Sequence, residues 1–400
     1  MNIVHIDRIG SKGDGIGMAG TAAAFVFKAL PGETVESENG KLVRVITASP
    51  DRIAPFCKVY DSCGGCKFQH WAHEPYAQWK RNLVQVALTT QGIAVEVQPL
   101  IDAHGAGRRR VSLHVRLVEG VWQAGYMEAK SHDLVAIETC PVMVPQLANA
   151  PEIAASFGPL MGPCDVAITL ADNGLDVSVK AEREAVDKRI AAFNEIMHKY
   201  NIARVSVNNE IAAQDRVPTV SVGKAKVQLP IQSFLQATAL GEETLVTLVK
   251  AATVKSKKVI DLFCGVGPFA FRIAETHKVH AIDLDKRAIA AMLYAARFAP
   301  GLKPMTAEAR DLFDNPLVPT ELNEFDTVVF DPPRAGAENQ ARNLAKSNVK
   351  RVISVACDVT SFARDAAILV RGGYKLESVT PVDQFKYTAH VEIVGVFKRS

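Results

Sequence analysis

The sequence predicts an α/β protein whose largest part is a doubly wound parallel sheet, preceded by a small β-barrel and a mixed α+β segment. Two observations predict this fold class. After about residue 233, apolar strand-like runs alternate with helical stretches rich in Ala and Leu, which is typical of a parallel sheet covered by helices. The chain of 400 residues is also too long for one ordinary domain. We therefore expect three domains, at residues 1–54, 55–232 and 233–400.

The composition is that of a globular protein. With 48% hydrophobic and 22% charged residues, the chain is neither disordered, collagen-like nor a coiled coil. No apolar run is long enough for a transmembrane helix, and the apolar stretch 16–30 lacks the basic start of a signal peptide. We therefore expect a monomeric cytoplasmic protein with no membrane partner. The net charge of +3 does not force a surface for polyanions, so a nucleic-acid site depends on local clusters.

The secondary structure of each domain follows from its residue pattern. Short strand-like runs between glycine-rich turns predict the barrel. In the middle domain, residues 76–88 predict a helix and residues 108–117 alternate like a strand. A second helix there is predicted by apolar residues at helical spacing, namely Val186, Ile190, Phe193, Met197 and Tyr200. The strands of the last domain are predicted at residues 259–263, 279–282, 327–330 and 352–356.

A buried strand, a glycine turn and the start of a helix follow one another at residues 259–270. Gly265 and Gly267 let the backbone approach a ligand closely, and Pro268 suits a first helical turn. The spacing also fits the dinucleotide fingerprint, so the turn alone does not identify a cofactor. A plain connection between a strand and a helix stays open as the alternative.

Carboxylates follow several of the later strands. Asp283 closes the next strand, where a carboxylate can bind ribose hydroxyls, and Asp311 follows another strand end. A further strand brings Asp331, Pro332 and Pro333 to the same edge of the sheet. Because Asp-Pro-Pro is unusual in dehydrogenases and resembles motif IV of S-adenosylmethionine-dependent methyltransferases, it favours S-adenosylmethionine over a nicotinamide cofactor.

A cysteine follows the next strand. Cys357 is expected near the amino end of a helix that Thr360 or Ser361 caps, and such a position lowers the pKa of a thiol below about 8.5. Its place at the edge of the sheet predicts a nucleophile, with a buried packing cysteine as the alternative.

The last predicted strand covers residues 388–397 and contains a carboxylate. Alternation along a strand places His390 and Glu392 on one face. Because a carboxylate among apolar neighbours is costly, Glu392 needs either a chemical task or an ion pair with a nearby cation.

Four cysteines predict a metal site. Cys57, Cys63 and Cys66 are close in sequence, and Cys140 supplies a fourth sulfur ligand. The spacing does not distinguish zinc from an iron–sulfur cluster. Without a secretion signal, these thiols are expected to be ligands rather than disulfides.

Taken together, these motifs resemble the RNA uracil-5 methyltransferase family. The resemblance rests on the cysteine cluster, the glycine turn, and the segments Phe234-Leu235-Gln236, Asp331-Pro332-Pro333-Arg334, Phe362-Ala363-Arg364-Asp365 and His390-Val391-Glu392, together with Cys357. It implies a Rossmann-like methyltransferase domain at residues 233–400. The first 54 residues resemble the TRAM domain, an RNA-binding barrel of the OB type.

The resemblance also implies a role for each matching residue. Cys357 is implied as the nucleophile that adds to carbon 6 of uracil, and Glu392 as the base that removes the proton from carbon 5. The pocket for S-adenosylmethionine and the base is implied to contain Gln236, Phe263, Gly265, Gly267, Asp283, Asp311 and Asp331. A 4Fe–4S cluster with a structural or RNA-positioning role is implied on Cys57, Cys63, Cys66 and Cys140. The chain departs from the family pattern at Thr238, Pro268, Ala356, Asp358 and Val359.

Basic residues in the predicted strand at 108–117 are candidates for RNA binding. Alternation places Arg108, Arg110 and Arg116 on one face, where they can bind phosphates. A solvated face of the sheet is the alternative.

The resemblance implies methylation of carbon 5 of one uridine, with 23S rRNA as the favoured substrate and tRNA as the alternative. An RNA cytosine-5 methyltransferase is a second hypothesis, although those enzymes carry a cysteine after the motif IV proline. Methyltransferases that act on exocyclic amines have an aromatic residue where Arg334 stands. A further hypothesis is an iron–sulfur RNA-binding protein with an inactive methyltransferase fold. The presence of both Cys357 and Glu392 argues against it.

Overall fold

The computed structural model describes residues 1–182 and 189–399. The first part of the chain forms a five-stranded antiparallel sheet in the order β3-β2-β1-β4-β5. Side chains alternate along β1, so Val4 and Ile6 are fully buried while their neighbours face solvent. The short strands expected in this region are present, at Asn2–Ile9 (β1), Gly15–Ala19 (β2), Ala22–Val26 (β3), Thr34–Glu38 (β4) and Lys41–Thr47 (β5).

A helix and a short strand follow the cysteine-rich segment. The helix α1 covers His73–Thr90, a few residues longer than the prediction, and the strand β6 covers Ile101–Asp102. β6 pairs in parallel with a strand near the C-terminus, and α1 packs against the last sheet through Val84 and Leu88. This segment therefore joins the front of the chain to its final sheet.

The middle of the chain forms a seven-stranded sheet in the order β13-β12-β11-β10-β7-β8-β9. Its strands are Arg110–Val118 (β7), Val121–Met127 (β8), Leu134–Ala136 (β9), Cys164–Ala171 (β10), Gly174–Ala181 (β11), Ile202–Val207 (β12) and Glu210–Gln214 (β13). The helices are Ala150–Ser156 (α2), Gly158–Met161 (α3) and Ile190–Tyr200 (α4), with a 3-10 turn at Pro145–Leu147. α4 confirms the predicted helix from Ile190 onward, whereas Val186 lies outside the described residues.

The last sheet has eight strands in the order β18-β17-β16-β19-β20-β22-β21-β6. A hairpin precedes it, at Thr219–Val222 (β14) and Ala225–Gln228 (β15). The strands are Lys258–Leu262 (β16), Lys278–Asp283 (β17), Met305–Ala309 (β18), Thr327–Phe330 (β19), Arg351–Ala356 (β20), Tyr374–Asp383 (β21) and Glu392–Arg399 (β22). The first five are parallel, and β22 is antiparallel to both of its neighbours.

Helices cover both faces of this last sheet, which confirms the predicted doubly wound α/β fold. Neighbouring strand residues belong to different cores, since Val259 packs on one face and Ile260 on the other. The helices are Ala239–Thr253 (α5), Pro268–Ala274 (α6), Lys286–Ala296 (α7), Pro319–Leu322 (α8), Glu338–Lys346 (α9) and Val359–Arg371 (α10). In the part of the chain described, no helix is both long and apolar enough to cross a membrane.

Two predicted strands begin later than expected. The strand expected at 388–397 begins at Glu392, so the exposed His390 lies in the preceding loop and does not share a strand face with Glu392. The strand expected at 108–117 begins at Arg110, so Arg108 precedes it. The segment before Glu392 has no strand partner among the described residues, whereas Arg108 forms only an isolated β-bridge, with Met143.

Candidate active site and cysteine cavity

Cys357 and Glu392 lie opposite each other at the carboxyl edge of the last sheet. β20 and β22 pair in antiparallel register with Ala356 opposite Ile393, so the next pair in this register is Cys357 and Glu392. Residues directly opposite in such a pair have Cα atoms about 4.5–5.5 Å apart. The structure therefore brings the expected nucleophile and the expected base together.

The electrostatic environment of Cys357 differs from the sequence prediction. α10 is capped by Asp358, whose carboxylate accepts hydrogen bonds from the backbone N–H groups of Thr360 at 3.0 Å and Ser361 at 2.9 Å. Burial, with the nearby charges of Glu392 and Asp331, raises the pKa of the Cys357 thiol to about 11. The prediction of a lowered thiol pKa is wrong, because desolvation and two carboxylates outweigh the effect of the helix N-terminus.

Asp331 and Glu392 form a pair of buried carboxyl groups beside the thiol. Asp331 directly follows β19, and Glu392 is the first residue of β22. Burial raises the pKa of Asp331, and burial together with the charge of Asp331 raises the pKa of Glu392. Two such groups titrate as a pair, so one proton stays on the pair at a pH where an exposed carboxyl group is fully ionised.

Two buried glutamines connect these carboxyl groups. Gln236 Nε2 donates to Asp331 Oδ2 at 3.2 Å, and Gln384 Nε2 donates to Glu392 Oε2 at 2.8 Å. The glutamines are joined by a hydrogen bond of 2.7 Å from Gln384 Nε2 to Gln236 Oε1. Gln236 was expected in the pocket from the sequence, whereas Gln384 was missed because nothing in the local pattern separates it from other loop residues.

A hydrogen bond joins the glycine turn to the side chain of Asp283. Gly265 has a φ of +54° and open space where a Cβ atom would be, so its outer side is free to receive a ligand. Asp283 Oδ2 accepts a hydrogen bond of 2.8 Å from the backbone N–H of Gly265, and Asp283 Oδ1 accepts one of 2.9 Å from Asp285. Gly267 begins α6 with a φ of +87°, and a Cβ atom there would lie 2.7 Å from Met292 Sδ.

Two aromatic rings lie next to this turn. Phe263 has a φ of +61°, which is rare for a residue with a side chain, and its ring centre lies 5.5 Å from that of the exposed Phe313. Asp311 holds the loop that carries Phe313 by accepting a 2.8 Å hydrogen bond from its backbone N–H. The structure therefore places Phe263 and Asp311 on the same side of the sheet edge as the glycine turn.

Asp261 is a buried acid of this site to which the sequence analysis assigned no role. It lies within β16, and neither carboxyl oxygen has a hydrogen-bond partner within the described residues. Burial and the charges of Asp331 and Asp283 raise the pKa of Asp261 well above its usual value. We therefore expect Asp261 to be neutral beneath the glycine turn.

Comparisons with known proteins agree with this arrangement. The sequence profile of the tRNA (uracil-5-)-methyltransferase family matches residues 307–400. An RNA methyltransferase of Brucella suis is 43% identical over 404 aligned residues, which cover 99% of this chain and 97% of the relative. The chain belongs to the RNA uracil-5 methyltransferase family.

More distant members of the family have stated substrates. The 23S rRNA (uracil(1939)-C(5))-methyltransferase RlmD of Vibrio parahaemolyticus is 27% identical, with 99% of this chain and 96% of the relative covered. The tRNA (uracil-54, C5)-methyltransferase of Pyrococcus abyssi, solved with S-adenosyl-L-homocysteine, superposes with a TM-score of 0.76. It covers 99% of this chain and all of its own length at 20% identity, and it therefore confirms the fold.

The four cysteines expected to bind a metal line one cavity. The cavity has a volume of about 40 Å³, and its other walls are mainly apolar and aromatic. Its sulfur atoms come from Cys57, Cys63, Cys66 and Cys140. Burial raises the pKa of three of these thiols, to about 11 for Cys66. Cys164 lies elsewhere, in the core of the middle sheet.

The cavity offers four thiols, the ligand type that structural zinc sites and iron–sulfur clusters share. Within the described residues, no three His, Cys, Asp or Glu side chains are arranged so that they could hold a metal ion. Arg108 also lines the cavity, and its buried Nε has no hydrogen-bond partner among the described residues. The positive charge of this half-buried arginine lies beside four thiols, so the cavity suits an occupant that carries negative charge.

The arginines expected to bind phosphate have protein partners in this structure. Arg110 Nη1 donates to the backbone carbonyl of Ser233 at 3.2 Å, and Arg116 lies 3.6 Å from the carboxylate of Asp165. Arg108 belongs to the cysteine cavity. The arginines therefore do not form one continuous row, and their binding of RNA stays a prediction.

The loop at residues 385–391, which we call the base loop, joins Gln384 to Glu392 and is held by the front of the chain. Lys80 is fully buried; its Nζ lies 2.6 Å from Asp383 Oδ1 and donates to the carbonyl of His390 at 2.6 Å. Tyr387, with a φ of +66°, packs on the cluster that contains Cys66. Its backbone N–H donates to the hydroxyl of Tyr76 at 3.0 Å, and its carbonyl accepts a 2.7 Å hydrogen bond from the backbone N–H of Lys67.

Proposed function

We propose that this enzyme transfers the methyl group of S-adenosylmethionine to carbon 5 of a uridine in RNA through a covalent bond to Cys357. One observation carries the proposal: β20 and β22 are paired up to Ala356 and Ile393, so the Cys357 thiol and the buried Glu392 carboxyl group are the next residues at the same end of the two strands. Methylation of a nitrogen or an oxygen requires no such nucleophile. Methylation of carbon 5 requires both a nucleophile and a base.

The residues at the sheet edge suit each step. The sulfur of Cys357 adds to carbon 6, and the thiol proton passes to one of the two neighbouring carboxylates, since the raised pKa of the thiol means that little thiolate exists beforehand. Carbon 5 is then rich in electrons and takes the methyl group. Glu392 removes the carbon 5 proton, the double bond re-forms, and the bond between sulfur and carbon 6 breaks. Uracil therefore exchanges one proton for one methyl group.

The methyl donor is proposed to lie over the glycine turn. Open space at Gly265 admits a ligand, and the carboxylate of Asp283 is held at the turn where it can accept hydrogen bonds from ribose hydroxyls. Phe263, Gly267 and Asp311 border the same space, while Gln236 and Asp331 lie towards Cys357. When bound, S-adenosylmethionine supplies an electrophilic methyl group.

The favoured substrate is 23S rRNA. The supporting observation is sequence similarity to the Vibrio rRNA enzyme over nearly the full length of both chains. A tRNA substrate is the second candidate, favoured by the description of the matched family and by the fold shared with the Pyrococcus tRNA enzyme.

The remaining parts of the chain are proposed to hold a cluster and the RNA. Cys57, Cys63, Cys66 and Cys140 would hold a 4Fe–4S cluster, which supplies cross-linking of distant segments rather than a step in methyl transfer. The domain at residues 1–54 would bind RNA as a TRAM-like barrel, ahead of a cluster domain at 55–232 and a methyltransferase domain at 233–400. Arg110 and Arg116 would contact phosphates at the edge of the middle sheet.

A fluorinated substrate tests the covalent mechanism. A 23S rRNA transcript with 5-fluorouridine in place of uridine should be methylated and then remain bonded to the enzyme, because fluorine cannot leave carbon 5 as a proton does. We expect a protein–RNA adduct that survives denaturation and requires S-adenosylmethionine. Cys357→Ala should form neither adduct nor product, whereas Cys164→Ala, a change in the core of the middle sheet, should retain both. A tRNA transcript treated in parallel identifies the substrate class, and methylation by Cys357→Ala would overturn the mechanism.

A further inference from the structure

Gln384 lies at the centre of the polar network beside Cys357. It is fully buried and directly follows β21, while Glu392 begins β22 after the base loop. Its side chain touches three groups at once: the backbone N–H of Ala237, the side-chain oxygen of Gln236 and the carboxylate of Glu392. Nothing in the chemistry of methyl transfer itself requires this residue.

The orientation of the Gln384 amide is fixed by its partners. The backbone N–H of Ala237 can only donate, so the group that faces it at 3.0 Å must be the amide oxygen Oε1. The NH₂ group therefore faces the other way, and its two hydrogens are used by Gln236 Oε1 at 2.7 Å and Glu392 Oε2 at 2.8 Å. Every polar hydrogen of this side chain is engaged.

The same logic fixes the orientation of Gln236. Since its Oε1 accepts from Gln384, its Nε2 faces Asp331 Oδ2 at 3.2 Å. Both amide groups thus present N–H donors, and no acceptor, to the two carboxyl groups. Such donors favour the ionised carboxylate, because a hydrogen bond to a charged acceptor is stronger than one to a neutral carboxyl group.

We propose that Gln384 is a positioning residue that favours the ionised form of Glu392 and fixes one of its oxygens for removal of the carbon 5 proton. This inference rests on the proposed function of Glu392 as the base. Gln384 donates to Glu392 Oε2, which leaves Oε1 to receive the proton. Because the Gln384 amide also donates to Gln236 Oε1, it orients the Gln236 NH₂ group that donates to Asp331.

The acidic groups around Glu392 make the hydrogen bond from Gln384 important for its ionisation. Asp331 from the end of β19 and the Cys357 thiol from the end of β20 are its acidic neighbours, and Asp261 in β16 interacts in turn with Asp331. Burial and the charge of Asp331 disfavour ionisation of Glu392. Among the groups that shift its pKa, the Gln384 amide is the one that acts in the opposite direction.

Release of tritium from carbon 5 of uridine in a 23S rRNA transcript tests the proposal, because it reports removal of that proton directly. Gln384→Met keeps the side-chain volume but removes both donors, so the pKa of Glu392 should rise further. We expect tritium release to fall about tenfold at neutral pH, the loss expected for one hydrogen bond to a charged group. The acidic limb of the pH–rate profile should move to higher pH, so that activity recovers in alkaline buffer.

A second variant and a control separate this role from a loss of packing. Gln384→Glu preserves the shape and can still accept from Ala237, but it adds another acid, so it should move the acidic limb in the same direction. Gln340 is the matched control, because this equally buried amide also bridges backbone groups, at Leu317, far from the site. Gln340→Met should leave the pH profile unchanged, and all variants should bind S-adenosylhomocysteine as the wild type does.

The outcomes distinguish this inference from the proposed function. A wild type that forms 5-methyluridine, with unshifted pH profiles in both Gln384 variants, would overturn the positioning role alone. A wild type that releases no tritium and forms no 5-methyluridine with either rRNA or tRNA would overturn the proposed function, and the role of Gln384 with it.

Discussion

The candidate active site, called the pocket below, and the cysteine cavity both bury ionisable side chains, but they accommodate them differently. In the pocket, the carboxyl groups of Asp331 and Glu392 are hydrogen-bonded to the amides of Gln236 and Gln384. In the cavity, thiols lie among apolar and aromatic side chains, next to an arginine nitrogen with no partner in the described chain. The pocket is organised by side chains alone, whereas the chemistry of the cavity suits a bound inorganic group.

This difference predicts which perturbations each region tolerates. Changes in the pocket should alter the protonation of its carboxyl groups and the rate of methyl transfer, but the fold should survive. Burial of these carboxyl groups already costs free energy of folding, so replacing one of them does not remove a stabilising contribution. Changes in the cavity should alter stability while the chemistry of methyl transfer survives. Variants of both regions, and of the residues between them, test this contrast from the largest expected effect to the smallest.

Loss of one cavity cysteine should have the largest effect. Anaerobically purified wild-type protein should contain iron and sulfide near four each per chain, and Cys140→Ser should lose most of both. Cys164→Ser is the control, because this thiol lies in the core of the middle sheet. The folded fraction of Cys140→Ser should still form the 5-fluorouridine adduct. Stoichiometric zinc without sulfide in the wild type would contradict the cluster assignment.

Replacement of Lys80 should be the most damaging change between the two regions. Lys80→Met leaves the carboxylate of Asp383 buried without its cation and frees the carbonyl of His390. Loss of one partner of a buried ion pair costs about 3–5 kcal/mol, which chemical denaturation can measure. The exposed pair of Lys199 with Glu152 provides the control, since solvent screens a surface ion pair and Lys199→Met should leave the free energy of unfolding nearly unchanged. Equal losses in the two variants would contradict the importance given to the Lys80 contact.

Removal of the buried Glu392 carboxyl group should stabilise the protein at high pH. The folded-state pKa of Glu392 is raised, so between the unfolded and folded values the native state holds more protons and the free energy of unfolding falls as pH rises. Glu392→Gln should therefore exceed the wild type by about 1–2 kcal/mol in alkaline buffer, with the difference shrinking towards acidic pH. Thermal unfolding across this range measures the effect. Glu195→Gln, which removes an exposed carboxyl group, is the control for the loss of one negative charge.

The arginines should give the smallest effect. If Arg110 and Arg116 bind phosphates, their replacement by Ala should reduce the log–log salt dependence of RNA binding by about one unit for each phosphate that is no longer bound. Binding of S-adenosylhomocysteine should not change. If the slope does not change, these arginines contact only protein groups, namely Ser233 and Asp165, and do not bind phosphates.

The sequence predicted those parts of the site that depend on local order along the chain. Asp283, Asp331 and Cys357 each lie at the end of a parallel strand or directly after one, and the carboxyl ends of parallel strands meet at one edge. Gln384 escaped prediction, because only the hairpin of β21 and β22 brings it to Gln236, 148 positions away. The pKa of Cys357 was mispredicted for a related reason: the helix after it is visible in the sequence, but the depth of burial and the opposing Glu392 are not.

The contacts that hold Tyr387 have a consequence for the motions of the base loop. The base loop is fixed at this residue through its ring, its N–H and its carbonyl, and its partners include Tyr60, Lys67 and Tyr76. A segment held in this way cannot open unless its anchors open with it, so the two form one cooperative unit. Amide hydrogen exchange at residues 385–391 should therefore follow that of residues 57–67. The lifetime of the closed base loop is set by a part of the chain that lies more than 300 positions earlier in the sequence.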